Sequence, residues 1–206
     1  MGADGHFRVT LSLRREPAAG PVYCKMETSA RFRQLKTVKL SCDATYRLDI
    51  SFKPPQLLQW NPLGKTGSGR FLRICRRASY FVKRNHVFPK IDRFGLIFRS
   101  LNIGGKPVEA IERARDGTAC AYSAYHSTKG ISASARGHRE ELPIAMRVLG
   151  SGYLTTCLQI KYYKQDDQSH CEWGARLHCI ELDCSSVEGR LVTVDRETYR
   201  KLGLES

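Results

Sequence analysis

Hydrophobic and polar residues alternate along several short stretches of this chain. In residues 7–14 (FRVTLSLR) every second residue is phenylalanine, valine or leucine, and the residues between them are arginine, threonine or serine. The same period of two recurs in residues 37–42, 45–53 and 153–163. Successive side chains of a strand point to opposite faces, so this alternation is typical of a strand with one buried face. The pattern predicts half-buried strands over all four stretches.

Two further segments carry turn and end signals. The glycines Gly104 and Gly105 lie between two short apolar runs, which predicts a β-hairpin across residues 101–111. Near the end of the chain, the sequence RLVTVDRETYRKLG predicts a last strand followed by a short helix that begins at Asp195 and ends at Gly203. The sequence shows no sustained amphipathic helix and no internal repeat.

Short strands separated by turns predict an all-β fold, an antiparallel β-sandwich that residues 1–206 form as a single domain. The 206 residues are 41% hydrophobic, which is enough to build one core. The chain opens without an apolar signal segment, and no stretch approaches the roughly 18 apolar residues that a membrane span requires. We therefore expect a cytoplasmic protein whose eight cysteines are buried or free thiols.

Positive charge is concentrated in one block. Residues 60–100 contain ten Lys or Arg residues against one acid, Asp92, and supply +9 of the formal net charge of +14. A strongly basic chain is typical of nucleic-acid-binding proteins, but outside this block the excess is mild. We interpret the block as an insertion into the β domain, either a loop or disordered segment or a translated intron. Nucleic-acid binding is the less supported function.

The chain lacks the usual motifs of nucleotide, catalytic and metal sites. Residues 64–70 (GKTGSGR) resemble the end of a phosphate-binding loop, but Gln59 occupies the position of its first glycine. No G-x-S-x-G or H-E-x-x-H motif is present. Histidines and cysteines gather in residues 170–184, yet a strand there would separate His178 from Cys184 by about 20 Å. We therefore expect no catalytic residue, no cofactor and no metal.

Several runs of residues carry a family resemblance. The most specific are FKPP, which begins at Phe52, and HCEWG, which begins at His170, and all of them lie in residues 11–25, 37–59, 101–105, 159–174 and 179–184. In these runs the chain resembles the cannabinoid receptor-interacting protein family. The basic block has no counterpart in the family, and the likeness is loose between residues 111 and 148.

The resemblance implies a non-enzymatic adaptor that binds the intracellular C-terminal tail of a type-1 cannabinoid-like receptor and modulates its signalling at the inner face of the plasma membrane. The family's sandwich is also similar to the Rho GDP-dissociation inhibitors, which hold a lipid chain between two sheets. That likeness implies an alternative, a carrier for the lipidated N-terminus of G-protein α subunits. A β-sandwich suits both roles, because a strand edge can pair with an extended peptide and an underfilled core can hold an apolar chain.

Candidate partner-binding residues lie within residues 159–174. Two lysines flank a pair of tyrosines there and would meet an acidic tail, although solvated lysines on a strand face are a common alternative. Trp173 is either an anchor for a partner or, more commonly for tryptophan, a core residue between the sheets. The predicted set is Lys161, Tyr162, Tyr163, Lys164, Cys171 and Trp173.

Overall fold

The computed structural model describes residues 5–28, 32–59 and 101–202, which form twelve strands and one short helix. The helix α1 (Gln168–Cys171) lies between β10 and β11. The strands are β1 His6–Glu16, β2 Gly20–Met26, β3 Lys36–Ser41, β4 Thr45–Lys53, β5 Leu101–Ile103, β6 Lys106–Val108, β7 Ile111–Arg115, β8 Cys120–Ser127, β9 Glu140–Val148, β10 Gly152–Tyr163, β11 Ala175–Val187 and β12 Leu191–Lys201. The predicted all-β fold is confirmed. The basic block lies outside the described residues, so its interpretation as an insertion stays a prediction.

The strands are arranged as a two-layered sandwich. One layer has the order β7, β8, β4, β1, β11, β12, and the other has the order β6, β5, β9, β10, β3, β2. The layers are joined where β2 pairs with β1 and β11 and where β10 pairs with β12. Most pairs are antiparallel, as predicted, but β10 runs parallel to β3 and to β12. Alternation along one strand does not show the direction of its neighbours, so the sequence pattern could not reveal these parallel pairs.

The alternating apolar residues form the core, as the sequence pattern predicts. Leu11 of β1 lies opposite Ile50 of β4 and Ile180 of β11, and all three side chains are buried. Burial of one such side chain stabilises the fold by about 1.5–3 kcal/mol. The largest fully buried side chains are Tyr46, Phe52, Leu11, Leu40, Leu48, Ile50, Leu101, Ile103, Ile144, Met146, Leu154 and Leu158. Large side chains from both layers therefore fill the space between the sheets.

The last strand continues where the sequence predicts a helix. β12 extends over Leu191–Lys201, so Asp195 lies inside a strand, and the predicted helix start is wrong. Gly203, its predicted end, is outside the described residues. β12 pairs with the long strand β11, and Arg196 forms an ion pair with Asp183 across the two strands at 2.8 Å. These interactions with a neighbouring strand outweigh the local capping signal, which is a weak preference.

The predicted hairpin and the predicted free thiols agree with the structure. Gly104 and Gly105 form the turn between β5 and β6 with φ values of +60° and +80°, a conformation that favours glycine. The seven described cysteines are free thiols, and all except Cys157 are buried. In the described ranges, no three His, Cys, Asp or Glu side chains are grouped closely enough to hold a metal ion. No helix among these residues has the length and apolar character needed to cross a membrane.

Candidate partner-binding site

The predicted site residues divide between the two faces of β10. Tyr162 lies beside Leu40 of β3 and belongs to the hydrophobic core. Burial raises the pKa of its phenol to about 12. Lys161 and Tyr163 point to the opposite, outer face because side chains alternate along the strand. The structure thus separates Tyr162 from the other candidates, although period-two alternation alone already indicated this separation.

The outer face of β2, β3 and β10 combines lysines with aromatic rings. Lys39 of β3 lies between Tyr23 of β2 and Lys161 of β10 in the strand register. The chain after α1 passes over this face and carries Trp173. We call this surface the platform, which is formed by Tyr23, Lys25, Lys39, Lys161, Tyr163 and Trp173.

Lys39 fixes the chain after α1 onto the platform. Its side chain is buried, with 3% of the residue exposed. The Nζ atom donates hydrogen bonds to the backbone carbonyl of His170, at 2.6 Å, and to that of Trp173. The same atom lies 5.1 Å from the centre of the Trp173 ring and 5.4 Å from that of Tyr163, within the range of cation–π attraction. One ammonium group therefore positions both the backbone and the indole of this segment.

Cys171 lies beneath the surface and holds α1 from below. Its thiol is 3.5 Å from the hydroxyl of Ser41, and the residue is buried. Burial raises the pKa of the Cys171 thiol. The sulfur therefore acts as a small core group that anchors the helix, and its position leaves partner contact to the neighbouring residues.

Trp173 is on the surface, with 64% of the residue exposed. The interpretation of Trp173 as a core residue is therefore wrong. At the next residue, Gly174, φ is +119°, and a Cβ would lie 2.7 Å from the carbonyl oxygen of Cys24. The backbone thus passes directly against β2 as it enters β11, and the indole remains outside. Lys164, which directly follows the last residue of β10, is also exposed.

The buried carboxylate of Glu27 interacts with two cations, Lys25 of the platform and Arg139 beside it. Glu27 accepts hydrogen bonds from the Thr37 hydroxyl at 2.7 Å and from Arg139, whose nearest contact is 2.6 Å. Lys25 lies 3.5 Å from the same carboxylate. Burial alone would raise the pKa of Glu27, but the hydrogen bonds from Thr37 and Arg139 hold it below its ordinary value. Glu27 is thus ionised and already shared.

The platform consequently has an excess of positive charge. Burial, and then the positive charges of Arg139 and Lys25, lower the pKa of Lys161. Burial is also the main cause that lowers the pKa of Lys39. Cations that depress one another in this way gain stability when an anion binds beside them. The surface therefore favours an acidic partner with an apolar group that can pack on the indole.

A cleft of about 240 Å³ adjoins the platform. Arg139 forms part of its wall and stacks on the ring of Phe32, 4.4 Å from the ring centre. Gln159 lies at its base and donates a hydrogen bond to Thr37 at 2.8 Å. Sequence reasoning missed Lys39, Glu27 and Arg139. Because side chains alternate along β3, the sequence could have placed Lys39 on the outer face, but no local pattern indicated Arg139.

Two edge strands end the order of the described sheet, and both are poor sites for adding a partner strand. All five residues of β7 are exposed, and three of them are charged: Glu112, Arg113 and Arg115. The other edge strand, β6, has only three residues and contains Pro107, which has no N–H group to donate. Charged residues and proline are features that protect sheet edges from pairing. The platform is therefore the better candidate for partner binding.

Comparisons with known proteins identify the family. A family model described as CB1 cannabinoid receptor-interacting protein 1 matches residues 3–65 and 92–199. Proteins of that name from Bos taurus and Homo sapiens are 26% identical to this chain over 198 residues, which cover 95% of this chain and 96% of each relative. The Mus musculus protein has the same identity and coverage. These relatives are named as receptor-interacting proteins, and the chain belongs to the CB1 cannabinoid receptor-interacting protein 1 family.

Proposed function

We propose that this protein is a non-catalytic adaptor that binds the intracellular C-terminal tail of a cannabinoid-type G-protein-coupled receptor. The relatives are named for interaction with the CB1 cannabinoid receptor. The structural observation that carries the proposal is the exposed indole of Trp173 on the same surface as Lys25, which shares the buried carboxylate of Glu27 with Arg139. A flexible acidic tail supplies the charge and the apolar contacts that this surface lacks.

The contacts divide into an anchor and a charged rim. An apolar side chain of the tail packs on Trp173. Lys39 holds Trp173 in place before binding, so the protein loses little conformational entropy when the tail binds. Acidic side chains of the tail form ion pairs with Lys161, Lys164 and Lys25. The positive charge of these lysines increases the association rate and disfavours basic peptides. The aromatic anchor then supplies most of the affinity, as is common at protein interfaces.

Occupation of the tail is the means by which the adaptor modulates signalling. A tail held on the platform is withheld from other proteins that recognise the same segment, so receptor output changes without any chemical step. The adaptor then resides in the cytoplasm and is recruited by its receptor to the inner face of the plasma membrane. The carrier role for a lipidated G-protein α subunit is the less favoured alternative, because large side chains fill the space between the layers.

Calorimetric titration of a receptor-tail peptide tests the proposal. We expect Trp173→Ala to weaken binding by about 2 kcal/mol, or about thirty-fold. We expect Lys161→Glu to weaken it and to reduce its salt dependence. Matched controls are Tyr125→Ala, an exposed aromatic residue of the other layer, and Lys53→Glu, an exposed lysine of that layer. Undiminished affinity in Trp173→Ala, or equal losses in the controls, would exclude the platform as the binding site.

A further inference from the structure

Two turns pack together at one end of the sandwich. They are the turn between β9 and β10 and the turn between β11 and β12. The backbone N–H of Tyr153 donates to the carbonyl of Arg190 at 3.1 Å, and the Ser186 hydroxyl donates to the carbonyl of Ser151 at 2.8 Å. A Cβ at Gly189 would lie 2.9 Å from the carbonyl oxygen of Gly150, so only glycine fits this approach. The turns form one fixed, projecting end.

Large apolar side chains are exposed on this end. Leu149 is 53% exposed, Val187 is 51% exposed and Leu191 is 42% exposed. Val187 lies opposite Leu191 in the strand register, and Leu191 lies beside Tyr153. We call these four residues the apolar tip. Leu149 lies in one of the turns, and the other three residues lie at the strand ends beside the turns.

The apolar tip has a basic rim. The guanidinium of Arg147 lies over the ring of Tyr153, 5.1 Å from its centre. Arg190 is exposed in the neighbouring turn, which also contains Glu188. Arginine beside exposed leucine and tyrosine is the composition of surfaces that lie in the headgroup region of a bilayer.

The basic block begins and ends next to the tip. The N–H of Gln59, the last described residue before the block, donates to the carbonyl of Arg147 at 2.9 Å. Leu101, the first described residue after it, lies beside Met146 in the strand register. The ten Lys or Arg residues of residues 60–100, with their single acid, therefore join the domain at neighbouring positions of β9.

We infer that the apolar tip is a docking surface for anionic phospholipid bilayers. Leu149, Val187 and Leu191 enter the boundary between headgroups and acyl chains, where their transfer from water is favourable. Arg147 and Arg190 then lie at the depth of the lipid phosphates. Exposed apolar side chains with arginines beside them match the boundary between the acyl chains and the anionic headgroups of a membrane. This lipid contact is independent of the receptor-binding proposal.

Vesicle sedimentation of the full chain tests the inference. We expect binding to vesicles of phosphatidylcholine and phosphatidylserine, in a ratio of roughly three to one, and much weaker binding to phosphatidylcholine alone. The double variant Leu149→Ser and Leu191→Ser removes apolar surface without changing charge, and we expect it to bind the anionic vesicles at least about tenfold more weakly. The control is Leu35→Ser, an exposed leucine outside the tip, which should bind as the unaltered chain does.

Each other outcome would overturn the inference. Binding of the double variant at the level of the unaltered chain would assign all vesicle binding to electrostatic attraction by the basic block. Equal binding to both kinds of vesicle would remove the role of the arginine rim. A clear drop in the unfolding temperature of the double variant, but not of Leu35→Ser, would show that the chain itself covers the tip leucines in the folded protein.

Discussion

Replacing Lys39 by methionine should release the segment around Trp173 from the platform. Methionine keeps the length and apolar stem of lysine but removes the ammonium that donates to the carbonyls of His170 and Trp173. Hydrogen bonds from a charged donor are each worth about 1.5–3 kcal/mol. Methionine also removes the cost of burying the ammonium, which offsets part of this loss. We therefore expect the free energy of unfolding to fall by about 2 kcal/mol.

Urea unfolding measures this change, and Lys161→Met provides the matched control. The Nζ of Lys161 lies over the same Tyr163 ring, 4.8 Å from its centre, but makes no hydrogen bond to the segment after α1. We expect this control to lose no more than about 1 kcal/mol. Lys39→Met should also bind the receptor-tail peptide about tenfold more weakly, because the indole is no longer held in place before binding.

A second readout tests whether the effect is local. Trypsin cleaves after exposed lysines, and Lys164 lies six residues before His170, the first residue that Lys39 holds. We expect faster cleavage after Lys164 in Lys39→Met under native conditions, since the segment opens more often. If both the free energy of unfolding and the cleavage rate match those of the unaltered chain, the two carbonyl contacts do not stabilise the segment, and the reasoning fails.

Four further predictions concern the buried carboxylate, the core and the basic block. Arg139→Ala should lower the free energy of unfolding by about 2–3 kcal/mol in urea titrations, because it leaves Glu27 buried with fewer partners. The pKa of Glu27 in the folded state lies below its ordinary value. The Glu27 carboxylate therefore stabilises the fold above the unfolded-state pKa of about 4.3, and this stabilisation is lost as pH falls through the folded-state pKa. Glu27→Gln should make the free energy of unfolding less dependent on pH in this acid range. Myristoylated and bare N-terminal peptides of a G-protein α subunit should give equal affinities in calorimetry, since large side chains fill the core, and tighter binding of the acylated peptide would support the carrier role. Deletion of residues 60–100 should leave the thermal melting temperature unchanged or higher, because Gln59 and Leu101 both lie beside β9, whereas a markedly lower value would make the block part of the fold.

The strands could be predicted because their signal is local. In β4, and in β1 from Phe7 to Arg14, each inward residue is apolar and each outward residue is polar, so consecutive residues show which face is buried. The same rule places Lys161 outward and Tyr162 inward. Where the local signal and the neighbouring strand disagree, as at Asp195, pairing with β11 decides the structure.

The site could be predicted only in part, because its contacts join distant parts of the chain. Lys39 donates to carbonyls that lie more than 130 residues later, and Glu27 pairs with Arg139 across more than 100 residues. Nothing in the residues around Lys39 indicates that its ammonium is buried. Trp173 is exposed because Lys39 and the approach of Gly174 to Cys24 fix the backbone below it, and a preference for buried tryptophan cannot anticipate that arrangement.

The strand β10 sets a distance between the two surfaces. It begins at Gly152 beside the apolar tip and ends at Tyr163 on the platform. At about 3.3 Å per residue, its twelve residues separate the two ends by about 36 Å. With the tip seated on a bilayer, a receptor tail must extend about ten or more residues from the membrane before its first contact with Trp173. The fold would then act as a ruler that admits long tails and leaves short ones out of reach.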